Sequence, residues 1–284
     1  MQLIKNVQFQ QLLNLLLLIY LAYRNHTLQT SLFMVALLTL YAGLFEVWLK
    51  ERLYIPYSAA ITALGVVLML GWLAWYIPFI AIAAAIIQKK FLQIDQRHIF
   101  NPSNFALIIA LALFYPKALP IIGELGHESF VLYTVLIIGV LILVRVNRFA
   151  ISLSFLLSYV LLSYLLLGKS DPAWTLEHFI DSLYSSSFIV YLFFMLTDPV
   201  TTPNNIKEQS LFGFLVALLA VGLNFIIGVR LWHMFIALFL VTAFSAPLFR
   251  KLKREERQKY YIIVLFALTL TVIITLHKPL YFSM

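Results

Sequence analysis

Apolar runs separated by short polar breaks recur from one end of the chain to the other, at residues 7–23, 29–49, 57–74, 76–89, 102–115, 130–147, 149–168, 178–197, 209–228, 231–249 and 260–277. Most approach the roughly 20 residues that a hydrocarbon core about 30 Å thick requires of a crossing helix. Backbone groups in lipid must be paired within the structure, and a helix does this within its own segment, whereas the weak two-residue alternation here argues against a barrel. The pattern therefore predicts an all-α polytopic membrane protein with about ten or eleven transmembrane helices in a single transmembrane domain, residues 1–284. The third and fourth runs are ambiguous, because residues 57–88 as one helix would measure ~48 Å, too long for one crossing and short for two. Gly71 and Pro78 let the chain turn there.

Composition sharpens this picture. Hydrophobic residues make up 63% of the chain and charged ones 11%, with a mean hydropathy of +0.95, which excludes a water-soluble enzyme. The chain has no cysteine, which excludes disulfides, thiolate metal sites and cysteine-held iron–sulfur clusters. Lys5 precedes the first run, but no small-x-small cleavage signature follows it, so that run is expected to be retained. The net charge of +8 sits between apolar runs, with no aromatic-interleaved basic patch, and so points to membrane orientation and not to nucleic acid. With these spans one side holds Lys5, Lys50, Arg52, Lys89, Lys90, Arg97, Arg145, Arg148, Lys207, Arg250, Lys251, Lys253, Arg254, Arg257 and Lys259. The other holds Arg24, Lys117, Lys169, Arg230 and Lys278. This bias predicts a protein of the cytoplasmic (inner) membrane with its N-terminus in the cytoplasm and its C-terminus outside.

Three polar clusters fall at the cytoplasmic ends of spans: Ser58 to Thr62, His98 to Asn104, and Leu196 to Asn205. In the second, Asn101 is placed to cap a helix whose first residue is Pro102, leaving free N–H groups and a positive dipole end that suit an anion. The third carries Pro199 and Pro203, which stop the preceding helix, beside Thr197, Asp198, Thr201 and Thr202. The same residue types also make ordinary caps and turns, so capping stands beside ligand binding as a reading. Within spans, the ionisable acids are Glu46, Asp181 and Asp198, all near span ends. Asp181, Tyr184, Ser185 and Tyr191 fall at helical spacing on the eighth span, and Ser152, Tyr159 and Ser163 on the seventh. These faces are expected to touch, either lining a cavity or packing as small-residue seams. Of the histidines at 26, 98, 127, 178, 233 and 277, only His233 sits within a span, so neither bis-histidine haem nor a metal site is expected.

Taken together, Ser58-Ala59 through Thr62, a basic pair before His98-Ile99-Phe100-Asn101-Pro102, and Phe193-Phe194-Met195-Leu196-Thr197-Asp198-Pro199-Val200-Thr201 resemble the NqrB/RnfD family of membrane subunits. Phe100 to Phe105 with Thr197 to Pro203 is most similar to its smaller UnbU-type branch, named from enediyne biosynthesis. The resemblance runs from about Tyr57 to Phe249. It implies an internal inverted repeat and a role in flavin-mediated electron transfer linked to ion movement, with other Rnf/Nqr-type subunits or a redox partner. Large members hold FMN on a threonine of a short outer motif. The comparable stretch here, Asp181 to Ser187, has no threonine, which speaks against covalent attachment and leaves FMN or riboflavin held noncovalently, or a quinone-like ligand, with Tyr184 and Tyr191 placed to stack on the ring. The cofactor contacts expected on this reading are Ser58, Thr62, His98, Asn101, Asn104, Asp181, Tyr184, Ser185, Ser187, Tyr191, Thr197, Asp198, Thr201 and Thr202. A transporter or channel for a small polar solute, or an accessory protein of natural-product biosynthesis, are the alternatives. No acid–base pair or nucleophile constellation identifies a catalytic residue.

Overall fold

The structure, a computed structural model, describes residues 7–24, 30–121, 129–168, 175–183, 185–227, 232–249 and 252–276. Tyr184, three of the histidines (His26, His127 and His277) and six of the orientation charges (Lys5, Lys169, Arg230, Arg250, Lys251 and Lys278) lie outside the described residues. The described elements are α1 (Val7–Arg24), α2 (Leu32–Lys50), α3 (Tyr57–Met69), α4 (Tyr76–Phe91), α5 (Pro102–Phe114), α6 (Ser129–Val146), α7 (Phe149–Leu162), α8 (Leu176–Leu183), α9 (Ser186–Val190), α10 (Ile206–Ile227), α11 (His233–Phe249) and α12 (Arg254–Leu276). Two of them, α7 and α9, run on as wider π-helical turns over Ser163–Leu167 and Tyr191–Met195.

Four helical stretches, Leu32–Lys50, Phe149–Leu167, Ile206–Ile226 and Arg254–Leu276, are long and apolar enough to cross a membrane, and α3, α5 and α11 are shorter apolar helices among them. The ambiguous third and fourth runs are two separate helices, α3 and α4. A chain that cannot end a helix inside lipid without stranding its backbone groups finds another solution at this point. Beyond α3, strand β1 (Leu70–Trp72) pairs antiparallel with β4 (Ala118–Pro120), which follows α5. Met69 O accepts from Ile121 N at 2.9 Å, and Lys117 O accepts from Leu73 N at 2.9 Å. Each of α3 and α5 has 13 residues and so spans ~20 Å, and the strand pair completes their backbone bonding where the helices stop. A second ladder, β2 (Gln93–Ile94) with β3 (Arg97–His98), turns through Asp95 and Gln96, both at positive φ, as a two-residue hairpin demands. Glu256 at the start of α12 accepts from Asp95 N at 2.8 Å and braces that turn.

The eighth apolar run, read in the sequence as one helix, is two. Ser185 adopts an extended conformation and its hydroxyl accepts from Phe188 N at 3.1 Å, so α9 starts afresh there. Short hydroxyl side chains compete for neighbouring backbone N–H groups, and a run of three serines offers that competition where the apolar period continues unbroken. Helices α7 and α10 lie along one another, α4 lies along α5, and both α1 and α2 rest on α3. One apolar cluster joins Leu21 of α1, Leu38 of α2, Val66 of α3, Ile82 of α4, Ile108 of α5, Phe155 of α7, Val216 of α10 and Phe239 of α11.

Candidate functional site

Two helix starts and one helix end meet. The N-terminus of α5 is capped by Asn101, whose side chain accepts from Asn104 N at 3.1 Å with Pro102 in the first helical position, as the sequence predicts. The Asn101 amide also donates to Phe194 O at 3.4 Å and to Asp198 Oδ2 at 3.3 Å, tying the cap to the end of the π-turn after α9. His98 Nε2 lies 3.5 Å from the same carboxylate oxygen, and Val200 N donates to Asp198 Oδ1 at 3.0 Å. Ser58, in the first turn of α3, accepts from Lys89 Nζ at 2.9 Å. Lys89 in turn stands 3.7 Å from Glu46, which also pairs with Lys50 at 3.1 Å. At 1% exposed, Glu46 is thus a buried carboxylate held between two ammonium groups.

Ser58, His98, Asn101, Asp198 and Val200 border a cavity of about 430 Å³, within the usual size of small-molecule sites. Six segments line it, including α1 through Gln11 and Asn14, α3 through Ser58 and Thr62, the hairpin and α5 through His98, Asn101 and Ser103, and the end of α9 through Phe193 and Phe194. Two glycines set its walls. A Cβ on Gly65 would sit 2.5 Å from Ser103 Oγ, so the missing side chain lets α3 and α5 close together, and one on Gly139 of α6 would meet the Phe193 ring at 2.9 Å. Asn14 Oδ1 is buried and accepts no hydrogen bond from the described residues. An unanswered acceptor at a cavity wall is the feature a ligand N–H would relieve.

Asp198 sits in the loop beyond the helix end. Burial alone would push its carboxyl up, but the His98 imidazole, the Val200 N–H and the Lys89 charge together hold it below the ordinary carboxylate value. The loop itself is fixed by Arg148, 5% exposed between α6 and α7. Its guanidinium donates to Thr202 Oγ1 at 3.0 Å, Asn204 Oδ1 at 2.5 Å, Asn147 O at 3.1 Å and Pro199 O at 3.4 Å. Thr202 Oγ1 donates to Asp198 O at 2.6 Å, and Gln209 reaches Asn147 O at 2.8 Å. A rigid fork of five donors suits this role better than an ammonium would.

The candidate residues thus separate into groups. Ser58, Thr62, His98, Asn101, Thr197 and Asp198 line the cavity. Thr201 and Thr202 are buried in the loop behind it, and Asn104 turns its amide to Phe235 O at 3.1 Å. The stripe on the eighth run lies elsewhere: Asp181 is exposed on α8, Ser185 caps α9, and Ser187 donates to Ile121 O at 2.6 Å. Tyr191 is fully buried, its hydroxyl donating to Met234 O at 3.0 Å and its ring flanked by Phe155 and Phe235. The seventh and eighth runs do touch, through Ser152 Oγ and Leu192 O at 3.0 Å, and Tyr159 pairs with His233 Nε2 at 2.9 Å. Sequence reasoning counted Lys89 and Arg148 only as orientation charges and passed over Gln11 and Asn14. The last two carry a signal, being amide residues three apart on one face, with Asn14 set in the apolar stretch that begins at Leu12.

Comparison with known proteins agrees with this architecture. The sequence model of the NQR2, RnfD, RnfE family matches residues 118–259, half of the chain, including Arg148 and the Asp198 loop. No curated protein matches it. With its succession of apolar helices, the chain is a multi-pass helical membrane protein and belongs to the NQR2, RnfD, RnfE family.

Proposed function

We propose that the chain is a membrane-embedded electron-transport subunit that holds a flavin noncovalently in the cavity between α1, α3, α5, α6 and the end of α9. The observation that carries this reading is the cavity itself. It has an aromatic wall in Phe193 and Phe194, and polar groups of three separate segments, Ser58, Asn101 and Asp198, at one rim. A flat conjugated ring with a hydrogen-bonding edge suits such a lining. When bound, the flavin would supply reversible electron transfer, which this chain's own side chains do not provide. Asn101 and His98 would hold its polar edge, Phe193 and Phe194 its faces, and the Asp198 charge would disfavour added negative charge on the ring.

Among the described residues the lining contains no arginine or lysine, since Lys89 is engaged with Ser58 and Glu46, and Arg148 with the loop. Riboflavin therefore suits the cavity better than phosphate-bearing FMN. Covalent attachment does not suit the described hydroxyls of the eighth run, because those of Ser185 and Ser187 are buried in helix capping and packing. On this reading the cavity opens to the cytoplasm, the N-terminus lies on that side, the chain works with further Rnf/Nqr-type subunits, and its paired motifs place it nearest the UnbU-type branch.

Titrating riboflavin into the detergent-purified protein and following flavin fluorescence tests the proposal. Saturable quenching, weakened at least ~10-fold in Asp198→Asn and Asn101→Ala, is expected, tenfold corresponding to about 1.4 kcal/mol. Absence of quenching for both riboflavin and FMN overturns it. Solute flux through liposomes without any electron donor would favour a transporter instead.

A further inference from the structure

A second space in the molecule has nothing to do with the polar cavity. Helices α1 and α2 follow one another in sequence and both rest on α3, yet a cleft of about 910 Å³ opens between them. Its floor is Ala60 and Leu64 of α3, and its walls carry Leu15 and Ile19 of α1 with Ala36, Thr39 and Leu40 of α2. It follows α2 from Leu32 to Val47, or ~23 Å of helix rise, about the depth of one leaflet and part of the next. Leu40 and Leu44 on its rim are 60% and 62% exposed, so the cleft opens sideways, toward the position of lipid.

We infer that this cleft binds the acyl chains of an anionic phospholipid. Flexible hydrocarbon chains fill a space of this size and shape without leaving polar backbone groups to satisfy. Charge selects the headgroup. One end of the cleft is closed by Tyr54 and Tyr57, and directly before them the exposed loop carries Arg52, with Lys50 Nζ 5.1 Å from the Tyr54 ring centre. Lys50 pairs with Glu46 at 3.1 Å, whereas Arg52 is exposed two residues before Tyr54. Tyrosines and basic side chains together are what an anionic headgroup meets at a membrane interface.

The test is native mass spectrometry of the full chain in detergent, titrated with phosphatidylglycerol and with phosphatidylcholine. One phosphatidylglycerol retained per chain, bound ~10-fold more strongly than phosphatidylcholine, is expected. Arg52→Gln should erase most of that preference, and Ala36→Leu, which fills the cleft from an exposed position, should remove the adduct for both lipids with unchanged thermal stability. Equal retention of the two lipids overturns the inference, as does a preference untouched by Arg52→Gln. So does a hydrophobic polypeptide that accompanies the wild-type chain and is lost from Ala36→Leu. Arg52 lies in an exposed loop, so its variant decides the matter even if Ala36→Leu fails to fold.

Discussion

Two regions of this molecule look alike as sequence and differ as structure. Around Asp198, and along Ser185 to Tyr191, hydroxyl, amide and tyrosine side chains interrupt apolar helices in similar density. In the first, side chains from segments far apart in the chain face one space, and the buried Asn14 Oδ1 still accepts nothing from the described residues. In the second, each described hydroxyl is consumed at once: Ser185 by its own helix start, Ser187 by Ile121 O, Tyr191 by Met234 O. The lesson is that polarity inside a membrane helix does not mark a site. What marks one is polarity that remains unanswered after the helices have packed.

This contrast can be broken by substitution. Arg148→Ala should have the largest effect, because it strips a buried charge-assisted fork from the Asp198 loop. A loss of about 3 kcal/mol in a denaturant titration is expected. Asp198→Asn should cost much less stability than Arg148→Ala but weaken flavin binding by at least the ~10-fold stated above. The two regions would cease to differ if Ser187→Ala matched that loss. Instead Ser187→Ala should cost roughly 0.6–1 kcal/mol of stability, the scale of one side-chain hydrogen bond in a membrane protein, and leave flavin affinity unchanged.

The smallest effect concerns acid. The Asp198 carboxyl is held below its ordinary value, so its contribution to stability is fully present above that value and fades as pH falls through the folded one. The wild-type chain should therefore lose part of its stability margin over Asp198→Asn below about pH 4. Parallel pH profiles of the two proteins would remove the charge from the account.

Much of the fold was legible before any coordinates. The apolar period placed nearly every helix within a few residues, and Asn101-Pro102 announced a capped start because the side chain and the ring chemistry act locally. The break at Ser185 was hidden, since Ser187 finds its partner in Ile121 O, just past β4 and 66 positions away, which no local pattern announces. The β1–β4 pair was equally silent, because three-residue strands carry no period. In the site, the polar rim could be read from composition. Lys89 and Arg148 could not, because a basic residue at a helix end looks the same whether it reaches water or turns inward to Ser58 or Thr202.

The claim on which the rest depends is that segments near Ser58 and Val200 border one cavity open to one side of the membrane. The chain lacks cysteine, so Ser58→Cys and Val200→Cys each introduce a single thiol for labelling with an impermeant maleimide on sealed vesicles of known orientation. Both should react from the same compartment and both should be shielded by riboflavin. Reaction from opposite compartments would contradict the shared cavity and the function proposed for it.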